Sequence, residues 1–204
     1  MIMKVVIATH NKDKLKEIKK GISILNIDLL DLSQFPEIGE IEETGTTLKE
    51  NAFIKARCVF EKTGLPSIAD DTGLEVDALN RAPGVYTARF AGENCTYQDN
   101  IDKMLEVMKN VKDGNRGATF KTVIAYIDSN KELFSKGKVK GVITKKSKKS
   151  LGSFGYDPIF YVPDIGKTFA EMKIEKKNLV SHRSRAIKAL KADLVSTLKL
   201  KENA

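Results

Sequence analysis

The residues Ser67–Leu74 have the sequence Ser-Ile-Ala-Asp-Asp-Thr-Gly-Leu, an apolar run that two adjacent carboxylates interrupt just before a glycine. A buried aspartate costs free energy unless a cation or a hydrogen-bond donor meets it. The stretch therefore indicates a metal ion, a protonated partner or a basic side chain nearby. The alternative is a strand end whose aspartates cap a turn, which is the commoner setting of an isolated Asp-Asp pair.

Strand and helix patterns alternate in the N-terminal part of the chain. Lys4 to Thr9 is a continuous β-branched run, typical of a central strand covered on both faces. The pattern then predicts a helix over Lys12 to Lys20, ended by Gly21 in the left-handed conformation. Ile27 to Leu32 predicts a second strand, and Thr47-Leu-Lys-Glu50 is a capping box that opens a second helix.

Further helices are predicted along the chain. The capping-box helix is expected to stop at Gly64 and Pro66, and another helix to span Tyr97 to Lys109. Pro83-Gly84 marks a turn, and Ser181 is expected to cap a last amphipathic helix. The buried face of that last helix is predicted to comprise Ile187, Leu190, Leu194 and Leu198.

The region from Ala118 to Ile143 is rich in strand-forming residues. It predicts two strands joined by a turn at Asp128-Ser-Asn130, with breaks in the second strand at Gly137 and Gly141. Pro158 to Tyr161 predicts one more strand, so an antiparallel region is expected here. No linker divides the chain, and residues 1–204 are therefore predicted to form a single domain.

Composition favours an ordinary globular protein of a reducing compartment. The chain has 204 residues, of which 41% are hydrophobic and 30% charged. Two cysteines and two histidines suggest neither a structural zinc site nor a disulfide framework, so a cytoplasmic location is expected. No stretch approaches the roughly 18 apolar residues of a membrane span. We therefore expect no membrane partner.

The net charge of +8 favours polyanionic partners, but it does not choose among nucleic acid, acidic lipid and nucleotide phosphates. The densest basic run is Lys145–Lys149, which contains no aromatic residue. A stacking platform for single strands is therefore not evident there.

Three segments carry side chains suited to a nucleotide. Thr9–Glu17 follows the central strand, where open α/β sheets bind ligands, and helix amides with Lys14 could receive phosphate. Phe154-Gly-Tyr-Asp-Pro158 suits stacking on a base, and Ser181-His-Arg183 puts cations at a helix start. The alternatives are a capping turn, aromatic residues of the core beside a turn, and a surface helix start.

Two further features accompany the second predicted helix. Glu42-Glu43-Thr44-Gly45 precedes it and would ordinarily be an exposed acidic loop. Asn51 and Lys55 are one turn apart on the helix, so both could point at one ligand.

Several familiar nucleotide and hydrolase signatures are missing. The triplet Gly166-Lys-Thr168 has Tyr161 where a phosphate-binding loop needs its first glycine. Neither Gly-x-Gly-x-x-Gly nor Gly-x-Ser-x-Gly occurs in the sequence. These absences disfavour P-loop NTPases, dinucleotide-binding folds and serine hydrolases.

Taken in order, the segments resemble the ITPase-like family of nucleoside triphosphate pyrophosphatases, which remove inosine and xanthosine triphosphates. The resemblance covers nearly the whole chain. The matching motifs are Ala8-Thr9-x-Asn11-x-x-Lys14-x-x-Glu17, Glu42-Glu43-Thr44-Gly45-x-Thr47, Glu50-Asn51-Ala52-x-x-Lys55-Ala56, Ala69-Asp70-Asp71-Thr72-Gly73-Leu74, Pro83-Gly84-Val85-Tyr86-x-Ala88-Arg89, Phe154-Gly155-Tyr156-Asp157-Pro158-Ile159-Phe160, Ala170-Glu171 and Ser181-His182-Arg183.

The resemblance implies a fold, a reaction and an assembly. The fold is α/β, with a mixed elongated sheet flanked by helices and two lobes around a central substrate cleft. The reaction cleaves ITP, dITP or XTP between the α and β phosphates with Mg²⁺. A homodimer is the usual state of the family.

The resemblance also implies roles for particular residues. Glu43 and Asp71 match the metal carboxylates, Asp71 also matches the general base for the attacking water, and Asp70 would support them. The residues implied to surround the triphosphate are Thr9, His10, Asn11, Lys12, Asp13, Lys14, Lys55 and Thr72. Those implied to hold the base are Phe154, Gly155, Tyr156, Asp157, Lys177, His182 and Arg183.

Two departures from the family pattern concern loops. Ser153 stands where the family usually has glycine before Phe-Gly-Tyr-Asp, and His10 replaces a frequent glycine in the first loop. The shape of the first of these loops and phosphate access at the second therefore stay open.

Two other functions remain as alternatives. A pyrophosphatase of the same fold could act on modified pyrimidine nucleotides, and a substrate panel distinguishes it. A basic nucleic-acid-binding module would show an affinity that falls steeply with ionic strength. Nucleic acid is the less favoured partner, because net charge is a less specific signal than ordered motifs.

Overall fold

The structure of the protein is a computed structural model that describes residues 2–23, 25–148 and 154–198. Ser153 and Lys149 lie outside these residues, and so does the side chain of Leu198. In chain order the strands and α-helices are β1 (Met3–Ile7), α1 (Lys12–Ile22), β2 (Ile27–Asp31), α2 (Leu48–Thr63), β3 (Ser67–Val76), β4 (Pro83–Gly84), α3 (Tyr97–Val107), β5 (Gly117–Ile127), β6 (Glu132–Ile143), β7 (Phe160–Val162), β8 (Lys167–Thr168), α4 (Ile174–Val180) and α5 (His182–Leu198).

The strands form one mixed sheet in the order β2-β1-β3-β5-β6-β7-β8, with β4 paired to β3. Strand β1 runs parallel to both β2 and β3. The pairs β3–β4, β6–β7 and β7–β8 are antiparallel. The predicted α/β fold with a mixed sheet is therefore confirmed.

The chain divides into two compact units. The first takes its described residues from Met1–Asp71, Thr122–Gly137 and His182–Ala204, and the second from Thr72–Lys121 and Lys138–Ser181. Within the described part of the chain, no helix is both long and apolar enough to cross a membrane.

In the first unit, β1 is buried on both faces, as its unbroken apolar sequence predicts. Val5 and Ile7 pack with residues of α1 and α5, whereas Val6 and Ala8 pack with residues of α2. Because successive strand side chains point to opposite faces, the sheet separates two apolar layers here. The same alternation continues in β3 and decides the partners of its acids.

The second unit has its own apolar core. The core joins residues of β3, α3, β5, β6 and β7 around the ring of Phe120. Phe120 lies 4.6 Å from Phe160 and 6.2 Å from Phe169, measured between ring centroids. Tyr156 belongs to this core as well.

The capping box predicted for α2 is confirmed. The Thr47 hydroxyl accepts from the Glu50 backbone N–H at 3.1 Å, and the Glu50 carboxylate accepts from the Thr47 N–H at 3.0 Å. The helix ends where predicted, because Gly64 adopts φ 67°, which costs a glycine little.

The prediction that Gly21 ends α1 in a left-handed conformation is wrong. The helix continues through Gly21 to Ile22, which is buried. A Cβ atom at Gly21 would lie 2.4 Å from Cγ2 of Ile187. The glycine therefore permits close packing of α1 against α5 rather than a turn.

The breaks expected in β6 are also absent, and the strand runs without interruption from Glu132 to Ile143. A Cβ atom at Gly137 would lie 1.9 Å from the His182 carbonyl oxygen, and one at Gly141 would lie 2.5 Å from Cζ of Phe160. Both glycines make room for a neighbouring element, which a one-dimensional pattern cannot distinguish from a break.

Smaller differences concern three other segments. The strand predicted from Pro158 starts at Phe160, because the residues before it form turns. Pro83-Gly84 pairs with β3 as a two-residue strand. Helix α4 was not predicted from the sequence, and Ser181 is its C-terminal cap.

Candidate active site

Asp70 and Asp71 are adjacent in β3, and both are buried, with exposed fractions of 0% and 5%. Because side chains alternate along a strand, the two carboxylates face opposite layers of the first unit. Asp70 faces α1 and α5, and Asp71 faces α2. The side chains of these two neighbouring residues therefore lie in different environments.

The carboxylate of Asp70 is held by two cations. Nε of Arg183 donates to its Oδ2 at 3.1 Å, and Nζ of Lys14 lies 3.4 Å from the same atom. Burial by itself opposes ionisation, but the cations Lys14 and Arg183 outweigh it and hold the pKa of Asp70 well below its usual range. The Asp70 carboxylate is thus ionised at neutral pH and pairs with Lys14 and Arg183.

Arg183 extends this network to a second acid. Its Nη1 donates to Oε2 of Glu17 at 2.6 Å, and the arginine is itself buried. A buried guanidinium needs such partners, because burying an unpaired charge costs on the order of several kcal/mol. In this structure the guanidinium of Arg183 contacts acids, whereas the resemblance implies contact with a base.

Asp71 has different contacts, two of which come from α2. Nδ2 of Asn51 donates to its Oδ2 at 3.3 Å, and Nζ of Lys55 lies 3.5 Å from its Oδ1. Lys55 also forms a short ion pair with Glu43. Asn51 and Lys55 therefore lie on one face of α2, as their spacing predicts, and both contact Asp71.

The proton affinities of the two acids are driven apart by these surroundings. Burial raises the pKa of Asp71, and the negative charges of Glu43 and Asp70 act in the same direction against the opposing effect of Lys55. Lys55 stays charged, because Asp71 and Glu43 outweigh its own burial and raise its pKa. An acid with a raised pKa beside one with a lowered pKa is an arrangement typical of acid–base sites.

The oxygen atoms available here suit a hard divalent cation. Glu43 and Asp71 both contact one cation already, the Lys55 ammonium, so their carboxylates converge. In the described part of the chain, no group of three or more His, Cys, Asp or Glu side chains is arranged to hold a metal. Mg²⁺ commonly uses one or two protein carboxylates and keeps several waters, so two converging acids fit it.

The loop before α1 adopts the capping alternative. Asn11 caps the helix, its Oδ1 accepting from the backbone N–H groups of Asp13 at 3.0 Å and Lys14 at 3.1 Å. Those two amides are therefore engaged by Asn11. The Asn11 N–H in turn donates to Oγ1 of Thr9 at 3.2 Å.

The other residues of this loop lie at the surface. His10 is exposed, and its Nε2 is 3.1 Å from the Gly39 carbonyl oxygen. Lys12 and Asp13 are exposed too, whereas Lys14 reaches Asp70 of β3. Thr72 follows Asp71 in β3 and is half-buried.

A second group of predicted site residues lies in the second unit, in the turn from Phe154 to Asp157. Tyr156 is 3% exposed, and its hydroxyl donates to the Thr87 carbonyl oxygen at 2.9 Å. Its ring belongs to the core, which is the alternative that the sequence offers for an aromatic residue of this segment. Gly155 has φ 53° with open space beside it, and therefore supports the turn rather than a close approach.

Asp157 and Lys177 form a buried ion pair in the same unit. Nζ of Lys177 lies 2.5 Å from Oδ2 of Asp157, and the Phe154 backbone N–H donates to that oxygen at 3.3 Å. Asp157 lies in a hydrogen-bonded turn, not in the extended conformation that Pro158 predicts. The half-buried ring of Phe154 packs edge to face against Tyr97, 5.2 Å away between centroids.

His182 is the first residue of α5, at the position predicted for a helix start, and it is buried. Its carbonyl oxygen lies against Gly137, and this close contact anchors the start of α5 to β6.

Glu17 belongs to the first cluster, but the sequence assigns it no role. Glu17 stands three residues after Lys14 on α1, and this spacing indicates a shared helix face. Nothing in the sequence indicates its partner, Arg183, which lies 166 positions away. The helical spacing predicts Asn51 on the face of Lys55, but nothing in the sequence indicates that it donates to Asp71.

Comparison with known proteins supplies the family. The model of the Ham1 family matches residues 5–193. A dITP/XTP pyrophosphatase of Thermoanaerobacter sp. (strain X514) is 46% identical over 199 residues, which cover 98% of this chain and 100% of the relative. A dITP/XTP pyrophosphatase of Listeria monocytogenes serovar 1/2a is 47% identical over 196 residues, or 96% of each protein.

Solved structures agree with this result. A HAM1 protein from Coxiella burnetii has a TM-score of 0.88 at 40% identity, covering 96% of this chain and 100% of that one. The Ham1 protein of Staphylococcus aureus has a TM-score of 0.85 at 38% identity, covering 95% and 98% of the two chains. The resemblance to nucleotide pyrophosphatases is thereby confirmed, and the chain belongs to the Ham1 family.

Proposed function

We propose that the protein hydrolyses the non-standard purine nucleoside triphosphates ITP, dITP and XTP to the monophosphate and pyrophosphate. The observation that carries the proposal is that the two adjacent acids of β3 have different surroundings. Asp70 is paired with two cations, and Asp71 has a raised pKa. The names of the relatives, dITP/XTP pyrophosphatase, support the choice of substrate.

Glu43 and Asp71 would hold Mg²⁺ in this proposal. Their oxygen donors and their convergence on the Lys55 ammonium support that assignment. When bound, the ion would neutralise phosphate charge and make the attacking water more acidic.

Asp71 would take the proton of the attacking water. Its burial supports this role, because a raised pKa gives the carboxylate a stronger hold on a proton than an exposed aspartate has. Asn51 donates to Oδ2 of Asp71 and so orients the carboxylate. Asp70 has the opposite task, since its lowered pKa keeps it charged beside Lys14 and Arg183.

Lys14 and Lys55 would bind the phosphate chain. Each ammonium lies beside an acid of β3 and is largely buried, so a phosphate could replace part of its contacts at low desolvation cost. The residues proposed around the triphosphate are Thr9, His10, Asn11, Lys12, Asp13, Lys14, Lys55 and Thr72.

Base selection would depend on hydrogen bonding. A buried donor that meets a 6-oxo group is left unpaired when the base carries an amine there, which disfavours adenine. Phe154 is half-buried and can offer a ring face, while Lys177 supplies a buried ammonium. The residues proposed to hold the base are, in the second unit, Phe154, Gly155, Asp157 and Lys177, with Tyr156 supporting them from the core. His182 and Arg183, which belong to the first unit, are proposed on the family resemblance alone.

The location and the partner follow from the same proposal. The protein would act in the cytoplasm on a small-molecule nucleotide, and its two free cysteines, Cys58 and Cys95, suit a reducing compartment.

The decisive experiment measures pyrophosphate release from ITP, dITP, XTP, ATP and GTP, with and without Mg²⁺. We expect turnover of the first three with the ion and little turnover of ATP and GTP. Equal turnover of all five would contradict the specificity, and turnover of none would contradict the enzymatic activity. A panel extended to modified pyrimidine triphosphates tests the alternative substrate class.

A further inference from the structure

Arg116 is a buried arginine that the proposed mechanism does not use, and it is 2% exposed. Among the described residues its guanidinium donates to backbone carbonyls. Nε donates to Ile143 at 2.7 Å, Nη2 to Thr144 at 3.0 Å, and Nη1 to Met108 at 2.6 Å and Val111 at 3.1 Å. One side chain therefore connects the end of α3 to the end of β6.

This arrangement needs an arginine. A guanidinium presents five N–H donors in a rigid planar fork, whereas a lysine ammonium is a compact group on a flexible stem. Met108 is the C-terminal cap of α3, where carbonyl groups carry partial negative charge. The cation is therefore stabilised by the helix end, and its remaining donors reach Ile143 and Thr144.

Hydrogen bonds lead from this point to the turn that carries Asp157. The Thr144 N–H donates to the Ile159 carbonyl oxygen at 2.9 Å, and the Lys148 N–H donates to that of Pro158 at 2.8 Å. Ile143 pairs with Phe160 in the antiparallel register of β6 and β7. The backbone from 158 to 160 is thus positioned by the backbone that Arg116 holds.

The turn itself orients the buried ion pair. The Ile159 N–H donates to the Tyr156 carbonyl oxygen at 3.0 Å, and the Asp157 N–H donates to that of Phe154 at 3.1 Å. The Asp157 carboxylate then accepts from Lys177 at 2.5 Å. A shift of the backbone at Ile159 would therefore move Asp157 relative to Lys177.

We infer that Arg116 is a positioning residue for nucleotide binding, acting through Thr144 and Ile159 on the Asp157–Lys177 pair. This inference rests on the proposed function, in which Asp157 and Lys177 bind the base. Arg116 itself touches no substrate in this scheme, so its removal should weaken substrate binding more than it slows the chemical step.

The test compares Arg116→Met, which keeps a similar length without the donors, with Arg116→Lys. For ITP, Arg116→Met should raise KM about tenfold and leave kcat within about threefold, the pattern of lost uniform binding. Arg116→Lys should give an intermediate KM, because a lysine ammonium can donate to only some of the carbonyl oxygens that the guanidinium reaches.

Met104→Ala is the matched control, since Met104 is a buried residue of the same core. It should lower the melting temperature as Arg116→Met does and leave KM for ITP within about twofold. An unchanged KM in Arg116→Met would overturn the inference, and so would an equal rise of KM in Met104→Ala.

Hydrogen exchange gives a readout that does not need activity. At a temperature where both proteins are folded, Arg116→Met should speed exchange of the amides from 144 to 148 and of those of Asp157, Ile159 and Phe160. Unchanged exchange there would overturn the positioning role. Failure of the wild-type protein to hydrolyse ITP would instead contradict the proposed function, and hydrogen exchange would then test Arg116 separately.

Discussion

At the scale of single residues, two neighbouring aspartates acquire different chemistry because strand geometry sends them to opposite layers. Asp70 meets Lys14 and Arg183, whereas Asp71 meets Asn51 and Lys55. The first carboxylate is kept ionised, and the second gains proton affinity from burial.

Replacing Asp71 by asparagine tests its proposed role as general base. The variant keeps the shape and can still contact Lys55, so we expect it to fold and to lose most of its turnover of ITP, by about a hundredfold or more. Steady-state pyrophosphate release measures the loss of turnover, and a thermal melt checks that the variant is folded. Near-normal rates in a folded variant would remove Asp71 from the base role.

Glu43 has a matched control in its exposed neighbour Glu42. Because Glu43 contacts Lys55 and is a proposed metal carboxylate, Glu43→Gln should raise the Mg²⁺ concentration needed for half-maximal activity by about tenfold or more. Glu42→Gln should leave it within about twofold. Titration of activity with Mg²⁺ measures both, and equal shifts would argue against a specific site at Glu43.

At the scale of elements, glycines decide how closely strands and helices approach. Gly137 in β6 faces the start of α5, and the nearby Ser135 hydroxyl donates to the Ala186 carbonyl oxygen at 2.8 Å. The helix start that carries His182 and Arg183 is therefore fixed by β6.

Gly137→Ala should be strongly destabilising. Its Cβ would lie 1.9 Å from the His182 carbonyl oxygen and 2.5 Å from the Ala186 nitrogen, and these backbone atoms cannot rotate away. We expect a loss of about 3 kcal/mol or more in the free energy of unfolding from such overpacking. Gly39→Ala, which has open space beside it, should change that free energy by less than about 1 kcal/mol. Urea unfolding compares them, and equal effects would contradict the packing argument.

The end of β2 predicts a pH dependence of stability. Asp31 accepts a hydrogen bond from Lys19 at 2.7 Å and further bonds from Ser33, and together these lower the pKa of Asp31 to about 2. Because the folded pKa lies below the ordinary value of 3.8, the stabilisation is complete above that pH and is lost as pH falls towards 2.

Asp31→Asn should therefore cost stability at pH 7 and progressively less between pH 4 and pH 2. The cost should be about 1 kcal/mol or less, since the partner Lys19 is exposed to solvent. Asp28→Asn, on the exposed side of the same strand, is the control. Urea unfolding at pH 7, 4, 3 and 2 measures the difference, and a cost that is constant with pH would contradict the assignment.

At the scale of the whole molecule, net charge and assembly are the properties to test. We propose a homodimer, as the family resemblance implies. Light scattering after size exclusion should then give twice the chain mass of 22.6 kDa. A mass of one chain at micromolar concentration would contradict this expectation.

The charge of +8 also permits a test of the nucleic-acid alternative. A phosphate-binding module would bind DNA tightly at low salt and lose about a thousandfold or more in affinity between 50 and 200 mM salt. We expect only weak binding, measured by fluorescence anisotropy with single and double strands. Tight, strongly salt-dependent binding would favour the alternative.

Several features were predictable from sequence because their causes are local. The capping box of α2 depends on Thr47 and Glu50, which are three residues apart, and the doubly buried β1 depends on an unbroken apolar run. Gly21 was misjudged, because helix termination and close packing both favour glycine and only the position of Ile187 separates them.

The sequence by itself determined the family, the longer strands and most of the helices, and the acids, amide and lysines of the candidate site. Only the tertiary structure decided which cation meets which carboxylate, and that Tyr156 belongs to the core. Arg183 is 113 positions from Asp70 and becomes its partner because α5 packs beside β3. The alternation of side chains follows from the local strand conformation, which the sequence predicts. The charged groups that lie against each face come from distant parts of the chain, and these groups help to set the pKa of each acid.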